Sequence, residues 1–221
     1  MIWLKDMGFW CHDMLLDYLK SAFVTLLVTI DPPGLAPIFI GLTLGMAPSQ
    51  KREVAMRAVI IAFAIMALFG FAGDIVMKAL GISLPAFRIA GGLLLFWISF
   101  EMVFELRARR KSNIAEEAVT IDQIRNVAAF PLAIPLMAGP GAITATILLA
   151  GRASGDWWML SGLMLVIAGI MAITYVCFRL SEQISRLLGT TGNIVLTRLL
   201  GVILAALAVQ FVIDGVLNIG K

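Results

Sequence analysis

The chain is predicted to be an all-α integral membrane protein of six transmembrane helices, arranged as two inverted three-helix repeats with helices one and four discontinuous. Three observations predict it. Hydrophobic residues make up 61% of the 221 and charged residues only 14%, more apolar surface than a soluble core of this size buries. Six charge-poor runs reach the length of about 20 residues that a helix needs to cross hydrocarbon. Breaks of proline and glycine interrupt the first and fourth runs at matching places, Asp31-Pro32-Pro33-Gly34 and Ala138-Gly139-Pro140-Gly141.

Residues 1–20 mix Lys5, Asp6, His12, Asp13 and Asp17 with Trp3, Phe9 and Trp10. With no apolar core before a small-residue cleavage site, they are expected to form an interfacial segment, and the first span serves as an uncleaved targeting signal. Spans are expected over 21–46, 54–77 and 84–106, together the first repeat (21–106). The stretch 107–126 carries Arg107, Arg109, Arg110, Lys111, Glu116, Glu117, Asp122 and Arg125, and is expected to be a solvated cytoplasmic loop. The second repeat, 127–219, holds spans over 127–151, 157–178 and 194–217.

Shifting the sequence by 107 positions lays Pro33-Gly34 on Pro140-Gly141, and a shift of 110 lays Arg88 and Gly91 on Arg198 and Gly201. Each half has an odd number of spans, so the second enters from the opposite side and the repeat is inverted. Eleven of the 17 Lys and Arg, including Lys51, Arg52, the Arg107–Lys111 group and Arg179, fall on the side of the loops after spans one, three and five. The positive-inside rule therefore places both termini outside, in the periplasm of a Gram-negative host, with the protein in the inner (plasma) membrane. Loop charges of this kind account for the basic pI without nucleic acid.

A helix in lipid satisfies its own backbone, so a break at mid-depth persists where protein or a water-filled cavity covers it. Pro32 and Pro33 supply no backbone donors and turn the residues before them away from helical dihedrals, while Gly34 permits re-entry into helix. The fourth span repeats this with Pro131, Pro135, Gly139, Pro140 and Gly141. Each break exposes carbonyls on the leading half-helix and amides on the trailing one, a layout that suits a small zwitterion. The carboxylate is expected at Gly34, Leu35, Gly141 and Ala142, beside Pro33, Gly139 and Pro140. The ammonium is expected at carbonyls near Thr29 and Ile30, or Met137 and Ala138, and at the Asp31 carboxylate, with Thr144 and Thr146 adding hydroxyls.

Asp31 is the sharpest single residue, since a carboxylate at mid-depth is costly unless protonated or paired. Three roles fit it: carrying a proton, helping to hold a sodium ion, or capping the helix that starts beyond it. Asp74 with Arg88, and Glu182 with Arg198, are expected either to form two symmetric clasps that could act as gates or to snorkel independently. Trp97, deep in its span, reads as packing, as do Gly91, Gly92, Gly201 and Ala205. Cys11, Cys177 and His12 show no metal-ligand spacing, and neither paired catalytic acids nor a nucleophile beside a histidine occur, so neither a metal site nor an enzyme is expected.

The motifs Asp31-Pro32-Pro33-Gly34-Leu35-Ala36-Pro37, Arg88-Ile89-Ala90-Gly91-Gly92, Pro131-Leu132-Ala133-Ile134-Pro135 leading into Ala138-Gly139-Pro140-Gly141, and Arg198-Leu199-Leu200-Gly201 with Gln210-Phe211 appear in this order. Together they resemble the MarC family, small inner-membrane proteins also called the neutral amino-acid transporter family, over residues 19–219. The resemblance implies six spans, inverted halves, discontinuous first and fourth helices, and transport of small neutral amino acids such as glycine or alanine.

The leading expectation is accordingly a secondary transporter of small neutral amino acids that works by alternating access. An exporter of other small molecules and a non-transport membrane scaffold are the alternatives. No cofactor is expected beyond a coupling proton or sodium ion. The expected partners are the amino acid and the bilayer, and the small-residue faces are compatible with a homo-oligomer.

Overall fold

Helix α1 (Trp3–Ile30) runs unbroken from the amino-terminal region into the first span and stops one residue short of Pro32. The structure, a computed structural model, describes residues 3–121, 127–153 and 156–219, with side chains at all of these except 3–13, 74, 115–121 and 190. The aromatic and acidic side chains of the expected interfacial segment before Met14 thus lie outside the described residues. There follow α2 (Pro32–Leu42), α3 (Pro48–Ala79), α4 (Leu84–Val103), α5 (Leu106–Ile121), a π-helical segment (Ala128–Met137), α6 (Pro140–Arg152), α7 (Trp157–Arg179) and α8 (Ser181–Leu217).

Among the described residues five spans are long and apolar enough to cross a membrane: Met14–Leu42 taken across its break, Pro48–Gly73, Leu84–Val103, Trp157–Arg179 and Thr191–Leu217. The π-helical segment and α6, bent by 59°, make a sixth when counted as one crossing. Local chemistry sets the starts. Pro48 opens α3, where Gln50 Oε1 accepts from the Ala47 amide at 2.9 Å. Ser83 caps α4, and Asp156 caps α7 by accepting from the amides of Trp158 and Met159. Large apolar side chains such as Leu68, Phe71, Leu165 and Val202 are exposed on the outer surface, as acyl chains require.

The third and sixth spans pack through glycine. A Cβ at Gly92 would lie 2.8 Å from the Ala208 carbonyl oxygen, and one at Gly215 would lie 2.9 Å from that of Pro85, so α4 and α8 run antiparallel with their backbones nearly touching. Small residues are what allow helices to approach this closely in lipid. Gly91 opens toward α6 instead, where Leu148 and Thr144 fill the space. Around this seam, Tyr18 ties α1 to α6 by donating to the Leu149 carbonyl at 3.0 Å, and Phe39 of α2 stacks on Phe178 of α7 with centroids 4.6 Å apart.

Two expectations need correction. Residues 107–126 were expected to be a solvated loop, but α5 occupies most of them. A two-residue turn at Phe104-Glu105, with Glu105 in the left-handed region at φ 63, folds α5 back. Arg107 and Lys111, four residues apart and therefore on one face, are then buried, while Arg109 and Arg110 stay exposed.

The expected Glu182–Arg198 clasp is absent, because packing supplies each member with a nearer partner. Glu182 lies 3.6 Å from Lys51 at the start of α3, and Arg198 pairs with Glu105 across the α4–α8 contact. For the other clasp, the Asp74 side chain lies outside the described residues. Arg88 stands near Arg152 and Asp214, and its Nε has no hydrogen-bond partner among the described residues.

Candidate substrate site at the two helix breaks

Asp31 adopts the left-handed conformation (φ 59, ψ 65), which asparagine and aspartate tolerate better than most residues, while Pro32 disfavours ordinary helix at this position. From there its carboxylate turns back over the start of α2, and the Gly34 amide donates to Oδ1 at 3.2 Å. The Leu35 amide donates to the Asp31 carbonyl at 3.1 Å. Gly34 must be glycine here, since a Cβ would overlap the Asp31 carboxylate. Of the roles open to Asp31, helix capping is thus realised geometrically. The amides of Gly34 and Leu35, expected to hold a substrate carboxylate, are already bonded.

The second break is built differently. Phe130 and Ile134, each preceding a proline, are extended, and the segment is held by wide turns in which Leu132 N donates to Val127 O and Ala138 N donates to Ala133 O. Helix α6 then starts at Pro140 with Gly139 as its cap residue and with no capping side chain. None fits, because a Cβ on Gly139 would overlap the Pro135 carbonyl oxygen. Pro140 has no amide hydrogen and Ile143 N is bonded to Gly139 O at 3.0 Å, so the amides of Gly141 and Ala142 begin the helix without an intrahelical acceptor.

The two breaks meet. A Cβ on Gly141 would overlap Ile98 and come 3.3 Å from the Thr29 methyl, so the start of α6 abuts the end of α1. A cavity of about 400 Å³ opens there, lined by Thr29, Met137, Gly139, Pro140, Gly141 and Ala142, with Leu94, Trp97, Ile98, Pro135 and Leu136 as an apolar wall. Trp97, expected to pack, lines this cavity. Asp31, Pro33, Gly34, Leu35 and Thr144 are not in the lining. Thr144 faces Gly91 of α4, and Thr146 donates to the Ala142 carbonyl at 2.8 Å, so neither hydroxyl serves the cavity as expected.

Helix α5 supplies what the sequence reading missed. Arg107, Arg110, Lys111 and Ile114 line the same cavity. Arg107 donates to the Thr29 carbonyl and, at 3.1 Å, to the Met102 sulfur. Lys111 Nζ lies 3.4 Å from the Ile30 carbonyl and 3.5 Å from Asp31 Oδ2. The α1 carbonyls expected to meet a substrate ammonium therefore meet the protein's own cations. Burial lowers the Lys111 pKa to about 8, helped by the charge of Arg107 and opposed by Asp31, and burial lowers that of Arg107 as well. A signal was present in the sequence: Arg107, Lys111 and Ile114 recur at i, i+4 and i+7, the spacing of one helix face.

Comparison with known proteins follows this geometry. The family described as "MarC family integral membrane protein" matches residues 16–219. A "UPF0056 membrane protein" of Archaeoglobus fulgidus is 40% identical over 201 residues, covering 90% of this chain and 92% of its own length. The "UPF0056 inner membrane protein MarC" of Salmonella typhimurium is 34% identical over 218 residues, covering 94% and 99%. A Bacillus subtilis "UPF0056 membrane protein YvbG" is 32% identical over 199 residues, covering 90% and 94%. No solved structure matches the chain.

Proposed function

We propose that this chain, which belongs to the MarC family of integral membrane proteins, is a secondary transporter of small neutral amino acids in the inner membrane, working by alternating access. One observation carries this reading: the cavity lies where the breaks of the first and fourth spans meet, between the end of α1 and the uncapped start of α6. Interrupted helices converging on one site are the arrangement around which halves of a transporter rock. The Asp31–Lys111 pair, touching the break of the first span, is the proposed seat of proton or sodium coupling.

The test is uptake of labelled glycine and alanine into proteoliposomes, with and without proton and sodium gradients. Saturable uptake that responds to one gradient is expected, and no uptake under any gradient overturns the proposal. The apolar wall of Leu94, Trp97, Ile98 and Leu136 favours a second reading, export of a bulkier and more apolar cargo. Uptake of leucine or phenylalanine well above that of glycine in the same assay selects it.

A further inference from the structure

We infer that the cavity is an oxyanion site for small monocarboxylates, recognised by Arg107, Lys111 and the first amides of α6, with no requirement for an ammonium group on the ligand. The inference deepens the proposed transport function, and it rests on that reading for the cavity being the cargo site.

The charges around the cavity do not balance. Arg107 and Lys111 are 7% and 6% exposed, and Asp31 is the one carboxylate within ion-pair distance of either among the described residues. Arg110 is matched by Glu101 at 2.8 Å. Among the described residues one positive charge is left over in a buried place, where charges are ordinarily paired. Its carrier is Arg107, a guanidinium with five donors, whose acceptors among the described residues are a neutral carbonyl and a thioether.

The surplus faces the only one of the two breaks able to take an anion. At the first break Asp31 already caps the helix. At the second, sterics forbid a cap at Gly139, and Gly141 and Ala142, whose amides are unspent, line the cavity together with the cations. Helix starts favour negative charge, and a planar guanidinium matches a carboxylate edge. A single surplus charge calls for a monoanion. Apart from Thr29 and the Glu101-paired Arg110 the remaining wall is apolar, and Asp31 is outside the lining, so among the described residues no carboxylate in the wall is left to receive an ammonium.

The experiment is calorimetric titration of the purified full chain in detergent with four probes: L-alanine, L-lactate, L-alaninamide and inorganic phosphate. Lactate keeps the carboxylate and drops the ammonium, whereas alaninamide does the reverse. Lactate and alanine should bind, with alaninamide weaker than lactate by about tenfold or more, the scale of a lost charge-assisted contact. Arg107→Gln and Lys111→Gln should each weaken lactate by about tenfold, while Arg57→Gln, an exposed partner of Glu53 on α3, should bind as wild type.

Alaninamide binding as tightly as lactate overturns the inference, as does alanine binding without lactate, which leaves the transport proposal standing. Lactate binding without alanine supports the anion site and overturns amino-acid transport. Phosphate binding more tightly than lactate overturns the carboxylate assignment. Absence of binding by every probe overturns both. Where Arg107→Gln fails to fold, the four-probe series on the wild type decides. A folded Arg107→Gln that binds lactate normally overturns the inference.

Discussion

Two buried cations share one acid, and this asymmetry determines how the site residues respond to substitution. Asp31→Asn strips the acid from both Lys111 and Arg107 and should cost about 3 kcal/mol, the scale for leaving buried charge uncompensated. Lys111→Gln leaves Asp31 facing Arg107 alone, a balanced arrangement, and should cost clearly less. Thermal unfolding of the two variants in detergent gives the order. Equal losses would mean that the pair is not the local source of stability.

Protonation follows the same geometry. The groups facing Lys111 are Arg107 and Arg110 on its own helix, Asp31 between α1 and α2, and, on α7, Cys177 near Asp31. The folded pKa, about 8, lies below the ordinary lysine value of 10.5. Between those values the unfolded chain holds more protons, so this group's contribution to stability rises with pH across that window. Below about pH 8 the full cost of burying the charge is present. A bound carboxylate favours the charged amine, so lactate affinity should fall as pH rises through about 8. Titrations at pH 7 and pH 9 check this, and Lys111→Gln should flatten the difference.

At the scale of elements, the breaks were legible in the sequence because Pro32, Pro33, Pro135, Gly139 and Pro140 act through backbone sterics that do not depend on tertiary context. The capping role of Asp31 was legible for the same reason, as were the small residues of the α4–α8 seam. Helix α5 was not. A run rich in Arg, Lys and Glu ordinarily faces water, and what turns it inward is the left-handed Glu105 and the exposed α1 carbonyls it meets, neither of which composition reveals. The clasp partners were missed because they depend on which helices adjoin, and Arg198 adjoins Glu105.

The seam makes its own prediction. Gly92→Leu drives a side chain into the Ala208 carbonyl and should abolish folded protein in detergent extracts. Gly169→Leu, on α7 with no atom within 4 Å of its would-be Cβ, should leave the yield unchanged. Comparable yields of the two on size-exclusion chromatography would refute the close backbone packing.

For the whole molecule, the sequence supplied the class and the spans, and the structure places the cavity at the meeting of the first and fourth. The orientation expected from loop charge is testable separately. In a background of Cys11→Ser and Cys177→Ser, a cysteine placed at Ile219 should react with a membrane-impermeant maleimide from the periplasmic side, and one placed at Gln50 should not. The reverse pattern would invert the topology and put α5 outside.

Serine at a helix cap is among the dependable routes to a more stable protein. At Gly139 the sign should reverse, because the carbonyl of Pro135 already fills the space that the hydroxymethyl group needs. The turn ahead of α6 thereby bars the mutational shortcut by which a chain might quiet its own exposed amides. Those donors stay available to whatever enters from outside the polypeptide.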